Sequence, residues 1–228
     1  MANGRIERHG FIIDPLPPRL GKIKCGIKND KGLPQSVDYF VATGKYASLF
    51  KEVYGEKPNR LLVCFPSDDA NLVCREEYIY RDKAGKKIAT GDGDTFTIWS
   101  NKEQTRITVT TEQYPDIMEK ITKNYPSPQG WQVTLTLNFV CPMISKIYGV
   151  WEFQTRGAAS SIPQIRDAFD AMIAKNGKIE GVLCDLNVEF AKSDSPKSNR
   201  FPVVSLVPNE TKENVELIKS LQTSNLLT

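Results

Sequence analysis

From Trp131 onward apolar and polar residues alternate, with Val133, Leu135, Leu137 and Phe139 separated by Gln132, Thr134, Thr136 and Asn138. A period of two sends successive side chains to opposite faces, so this segment predicts a β-strand with one buried face. Val150–Thr155 predicts a second strand, the alternation of Val182, Cys184, Leu186, Val188 and Phe190 a third, and Phe201–Val207 a fourth. Between them Ile162, Ile165, Ala168, Phe169, Met172 and Ile173 fall on one helical face. Ser160 or Ser161 is placed to cap that helix, Pro163 sits in its first turn and Gly177 closes it. The C-terminal half therefore reads β-β-α-β-β, with a terminal helix over Thr211–Leu221 and a polar tail beyond it.

The N-terminal half is less regular. Residues 1–19 carry Pro15, Pro17 and Pro18 without apolar periodicity and read as an irregular arm. Ile23, Cys25 and Ile27 then alternate beside Lys22, Lys24 and Lys28, the signature of a strand with one wet, basic face. Tyr46, Leu49, Phe50 and Val53 have helical spacing and end at Gly55; the apolar run Leu61–Phe65, closed by Pro66, suits a buried strand. A meander follows through Tyr78–Tyr80, Lys87–Ala89, Phe96–Trp99 and Ile107–Val109, joined by glycine turns, and Asp116–Asn124 predicts a helix broken by Pro126–Gly130. The expected fold is α+β, a mainly antiparallel sheet with a few packed helices, and an OB-like barrel is one form open to part of it. Within it the Ile162–Ala174 helix packs on the strands around Trp131–Val140 and Gly181–Phe190. The organisation expected is an arm (1–19), an α+β region (20–130), the β-β-α-β-β region (131–222) and a tail (223–228).

Composition changes this picture little. With 228 residues, 40% of them hydrophobic and 25% charged, the chain is long enough for a substantial core. No stretch reaches the ~18 apolar residues of a membrane span, and the first residues lack the apolar core of a secretory signal, so a cytoplasmic protein is expected. The five cysteines are scattered among apolar neighbours without a CxxC pair, and His9 is the one histidine; buried free thiols are expected, and no metal or cofactor.

Charge is uneven: residues 1–60 hold 11 Lys/Arg against 6 Asp/Glu, although the whole chain is only +3. A basic surface for nucleic acid or an acidic partner fits that asymmetry. Candidate binding residues are Arg19, Lys22, Lys24 and Lys28 on the first strand, Arg156 after Trp151 and Phe153, and Lys192, Lys197 and Arg200 in a Ser/Pro-rich segment. Trp99, Trp131 and Trp151 lie in strand-like segments, where core packing is the commoner fate than base stacking.

Catalytic readings find less support. Gly91-Asp92-Gly93-Asp94-Thr95 has the alternating carboxylates of a calcium loop, but Phe96 occupies the third ligand position, so a tight turn is favoured. Phosphate-binding and dinucleotide glycine motifs are absent, no GxSxG elbow surrounds Ser160 or Ser161, and a triad would need His9 from the arm. Asp68, Asp69, Glu76 and Glu77 read as solvated charge. A binding protein, not an enzyme, is expected.

Several segments carry a resemblance when taken in order: LGKIKCGIK, VDYF, FKEVYGEKPNRLLVCFPSDD, YIYRDKAGKKIATGDGDTF and GVWEFQTRGAASSI. Over roughly residues 19–205 the chain resembles the recombination directionality factor-like proteins of phages and integrated elements. The resemblance implies an accessory protein of a bacterial host cell that binds a serine integrase, or its DNA complex, and switches recombination from integration to excision. A single-stranded DNA-binding role in phage replication or recombination is the alternative it leaves open. Many members of that family carry a cysteine-rich, zinc-finger-like stretch between the GDG and GVW elements. Here that interval holds only Cys141, with Tyr114-Pro115 and Tyr125-Pro126 where cysteines would stand.

Overall fold

A computed structural model describes residues 16–100, 102–192 and 200–209, together with Glu216 and Ser220. His9, Lys197, the tail and, apart from Glu216 and Ser220, the expected terminal helix lie outside the described residues. In chain order the elements are β1 (Arg19–Lys28), β2 (Pro34–Thr43), α1 (Ala47–Tyr54), β3 (Arg60–Cys64), α2 (Ala70–Val73), β4 (Cys74–Arg81), β5 (Lys87–Gly91) and β6 (Thr95–Ser100). There follow β7 (Thr105–Thr110), α3 (Ile117–Asn124), β8 (Trp131–Phe139), β9 (Val150–Thr155), α4 (Ser161–Asn176), β10 (Leu183–Lys192) and β11 (Arg200–Pro208).

Eight strands form one sheet in the order β2-β1-β9-β8-β4-β5-β6-β7, and β11-β10-β3 form a second. Every pairing is antiparallel except that of β1 with β9. The fold is the expected mainly antiparallel α+β architecture, including the β4–β7 meander. The OB-like barrel is a correction: β2 and β7 stand at opposite ends of the large sheet, which therefore does not close.

Alternation explains the layering. Leu135, Leu137 and Phe139 of β8 and Trp151 and Phe153 of β9 point into one core, joined by Leu61 and Val63 of β3, Leu186 and Val188 of β10, and Val204 of β11. Into the same core α4 inserts Ile162, Ile165, Phe169 and Met172. Phe169 meets Phe65 edge to face at 5.3 Å, and Met172 Sδ lies 3.3 Å from Cys184 Sγ. Each such buried side chain contributes about 1.5–3 kcal/mol relative to exposure, and the shape of this helix is set by that face. Ser160, one of the two expected caps, occupies the cap position but makes no side-chain cap bond, whereas the Ser161 hydroxyl accepts the Val204 N–H at 2.9 Å and ties the helix to β11. A second core, of Tyr80, Ala89, Phe96, Val109, Ile117 and Ile121, sits between the meander and α3.

In the GDG turn the Asp92 carboxylate accepts N–H bonds from Asp94 and Thr95 at 2.9 and 2.7 Å, and these bonds hold it below the usual carboxylate range against the opposing effect of burial. Gly91 is obligatory there, because a Cβ would lie 2.2 Å from the Thr95 carbonyl oxygen. Three thiols, Cys64, Cys141 and Cys184, are buried and Cys25 and Cys74 half-buried, all free; burial pushes Cys25, Cys64 and Cys74 up to about 12. Among the described residues no helix is long and apolar enough to cross a membrane.

Candidate partner-binding face

The site begins where β1 runs parallel to β9. Their register pairs Gly21 with Trp151, Lys22 with Glu152 and Ile23 with Phe153. Trp151 and Phe153 take the inner face, so Lys22, Glu152 and Gln154 share the outer one. The two strands meet closely at Gly21: a Cβ there would sit 2.3 Å from the Thr43 carbonyl oxygen and 2.8 Å from Trp151 Cζ3. The LGK and GVW elements thus meet at one packing contact, with Trp151 also 5.5 Å from Phe50.

Glu152 organises the outer face. Its carboxylate forms ion pairs with Arg19 at 2.5 Å and Lys22 at 2.7 Å, and its side chain is only 11% exposed. Burial pushes the Glu152 carboxyl up, but the hydrogen bonds and charges of Lys22 and Arg19 outweigh it and hold the group below its ordinary value. Two of the cations expected to meet a phosphate are therefore already engaged inside the protein.

Beyond Ile23 and Phe153 the strands part, leaving a cleft of about 750 Å³. Lys22, Lys24, Gln154 and Arg156 line it, with Pro202 and Val204 of β11. Lys24 and Arg156 are exposed and, among the described residues, without an ion-pair partner. Partial burial and then the charge of Arg81 lower the proton affinity of Arg156. Lys28 lies at the far end of β1 opposite Pro34, away from the cleft. Lys192 and Arg200 face each other across the β10–β11 hairpin; Pro202 lines the cleft but Arg200 does not. Of the eight expected residues, the structure brings Lys22, Lys24 and Arg156 into one cleft and holds Arg19 at its end through Glu152.

Sequence reasoning missed the continuation of this face. Ladder partners run from Glu152 to Asn138 and from Gln154 to Thr136 and on to Arg75, so Arg75 projects on the same side as Lys22. Arg81 stands opposite Lys87 in the β4–β5 ladder and Arg106 donates to the Lys87 carbonyl at 3.2 Å; burial, with the charges of Arg75, Arg81 and Arg106 opposing that of Glu77, lowers the Lys87 ammonium below its ordinary range. They are dispersed among acidic residues in sequence, and only strand register assembles them. The acids read as solvated charge have partners: Asp68 accepts the Ile179 and Glu180 N–H groups, Asp69 caps α2, Glu77 pairs with Arg75 at 3.2 Å, and Glu76 lies 3.7 Å from Arg166. Trp151 is fully buried and Trp131 half-buried with its indole N–H donating to the Met118 carbonyl, whereas Trp99 is exposed.

Chemically, such a face can neutralise a few phosphates or carboxylates around Lys24, Arg156 and the Arg75 cluster. Neither the curated proteins nor the solved structures contain a match to the chain. A model of the recombination directionality factor-like family does match, over residues 20–209. That span runs from the second residue of β1 to just past the end of β11 and so takes in both sheets and the whole cleft. The chain belongs to the recombination directionality factor-like family.

Proposed function

We propose that this chain is a phage or mobile-element accessory protein that binds a serine integrase, or its complex with DNA, and turns recombination toward excision. Family membership over residues 20–209 is the observation that carries this reading. The cation-bearing outer face of the large sheet is consistent with it, since a protein acting on a recombinase–DNA complex lies beside phosphates. In this reading the chain supplies binding energy and no chemistry of its own, and it works in the cytoplasm of a bacterial host.

The test combines the purified protein with the integrase of its own element and DNA carrying the two hybrid sites. Recombination between hybrid sites in the presence of the protein, with co-purification of the two proteins, is the expected result. Unchanged direction together with no co-purification overturns the proposal. The splayed β1–β9 cleft, with Lys24 and Arg156 free of ion pairs among the described residues, favours one further reading, direct binding of single-stranded DNA. Salt titration against single and double strands separates the two.

A further inference from the structure

A second concavity, of about 640 Å³, lies across the ends of β5, β6 and β7 beneath α3, away from the β1–β9 cleft. Its apolar wall comes from Ile88 and Ile98 on the strands and Ile117 and Ile121 on the helix. Three aromatic side chains open onto it, Trp99 at 48% exposure, Tyr114 at 46% and Tyr125 at 38%. Exposed aromatic side chains gathered around a floor of half-buried and buried isoleucines have the composition of a protein-docking site, where aromatic anchors supply most of the binding energy. The groove is also preformed. Tyr80 Oη donates to the Tyr125 carbonyl at 2.7 Å and Trp131 Nε1 to the Met118 carbonyl at 3.2 Å, so both ends of α3 are bonded to the sheet.

Charge selects the occupant. Lys86, Arg106 and Lys120 line the groove and, among the described lining residues, no carboxylate does. Lys120 is partly neutralised by Asp116 at 2.8 Å, and Arg106 donates to the Lys87 carbonyl at 3.2 Å. The remaining potential suits a few carboxylates better than a chain of phosphates, and an isoleucine wall would desolvate the polar edges of nucleobases without pairing them. We infer that this groove docks a peptide segment of a protein partner, with two or three apolar anchor residues flanked by Asp or Glu. The groove shares no lining residue with the β1–β9 cleft, although Arg106 borders both the groove and the cations around Lys87, and the inference does not require the partner to be an integrase.

An array of ~15-residue peptides tests this, with Leu, Phe or Trp at helical or alternating spacing and flanks that are either acidic or basic. Fluorescence titration of the full chain against the array is expected to select acidic flanks over basic ones by about tenfold in affinity. Trp99→Ala and, separately, Tyr114→Ala should each weaken binding by about tenfold while the melting temperature holds, both side chains being half-exposed. Lys86→Glu with Arg106→Glu should reverse the flank preference. Indifference to flank sign, binding that neither aromatic variant weakens, or no binding by any peptide at millimolar concentration overturns the inference. So does a ~20-nucleotide oligothymidylate that binds here and loses affinity with Trp99→Ala, which would make the groove a base-stacking site.

Discussion

Glu152 holds Arg19 and Lys22 together across more than a hundred residues of chain, and its ionisation should be visible in stability. Its folded carboxyl titrates below its ordinary value, so the unfolded chain binds that proton more tightly. The stabilisation is then present above the unfolded carboxyl value of about 4.3 and is lost as pH falls through the lower folded value. Thermal melts of wild type and Glu152→Gln from pH 7 to pH 3 should show wild type higher at pH 7 and the gap closing below about pH 4. A gap that is constant with pH contradicts the ion-pair account. Trp151→Ala should cost about 3–5 kcal/mol in denaturant unfolding, the range for removing a large buried aromatic ring. A loss under about 1 kcal/mol would mean that the ring is not in the core. The burial of Trp151 was legible, because it alternates with Glu152 in a strand pattern. The partners of Glu152 were not, since an ion pair between residues 19 and 152 leaves no periodic trace in the sequence.

At the scale of elements the basic strand behaves as a ladder whose two halves differ. Its first half is paired with β9 and its cations are engaged by Glu152; its second half borders the open cleft. If the outer face meets nucleic acid, Lys24→Gln with Arg156→Gln should reduce the log–log salt slope of binding by roughly one to two units. Lys22→Gln should change it less, and Glu152→Gln, which releases Arg19 and Lys22, should steepen it. Equal effects of Lys22 and Lys24 would contradict the division. Elements with clean periodicity, β8, β10 and α4, could be read from the sequence. The strand β2 could not: between Lys24↔Val41 and Gly26↔Ser36 it carries extra residues in a bulge, so Val37, Phe40 and Ala42 are buried without a period of two. A one-turn helix such as α2 is too short for any periodic signal.

Across the whole molecule, sheet order decides what lies beside what. Strands β8 and β9, read from sequence as the start of a C-terminal region, stand between β1 and β4 in the large sheet. That insertion brings GVWEFQT against LGKIKCGIK and makes the cation-bearing face from segments far apart in the chain. Cation spacing hinted at a basic surface, but its extent depended on register, and the aromatic groove under α3 had no sequence signal beyond scattered Trp and Tyr. The proposed role is a change in the direction of recombination by a serine integrase. It is tested most directly by measuring the fraction of hybrid-site DNA converted by the cognate serine integrase as the protein is titrated. The account predicts that conversion of hybrid sites rises with added protein while recombination of the original attachment sites falls; hybrid-site conversion that stays at the integrase-alone level at saturating protein would contradict it.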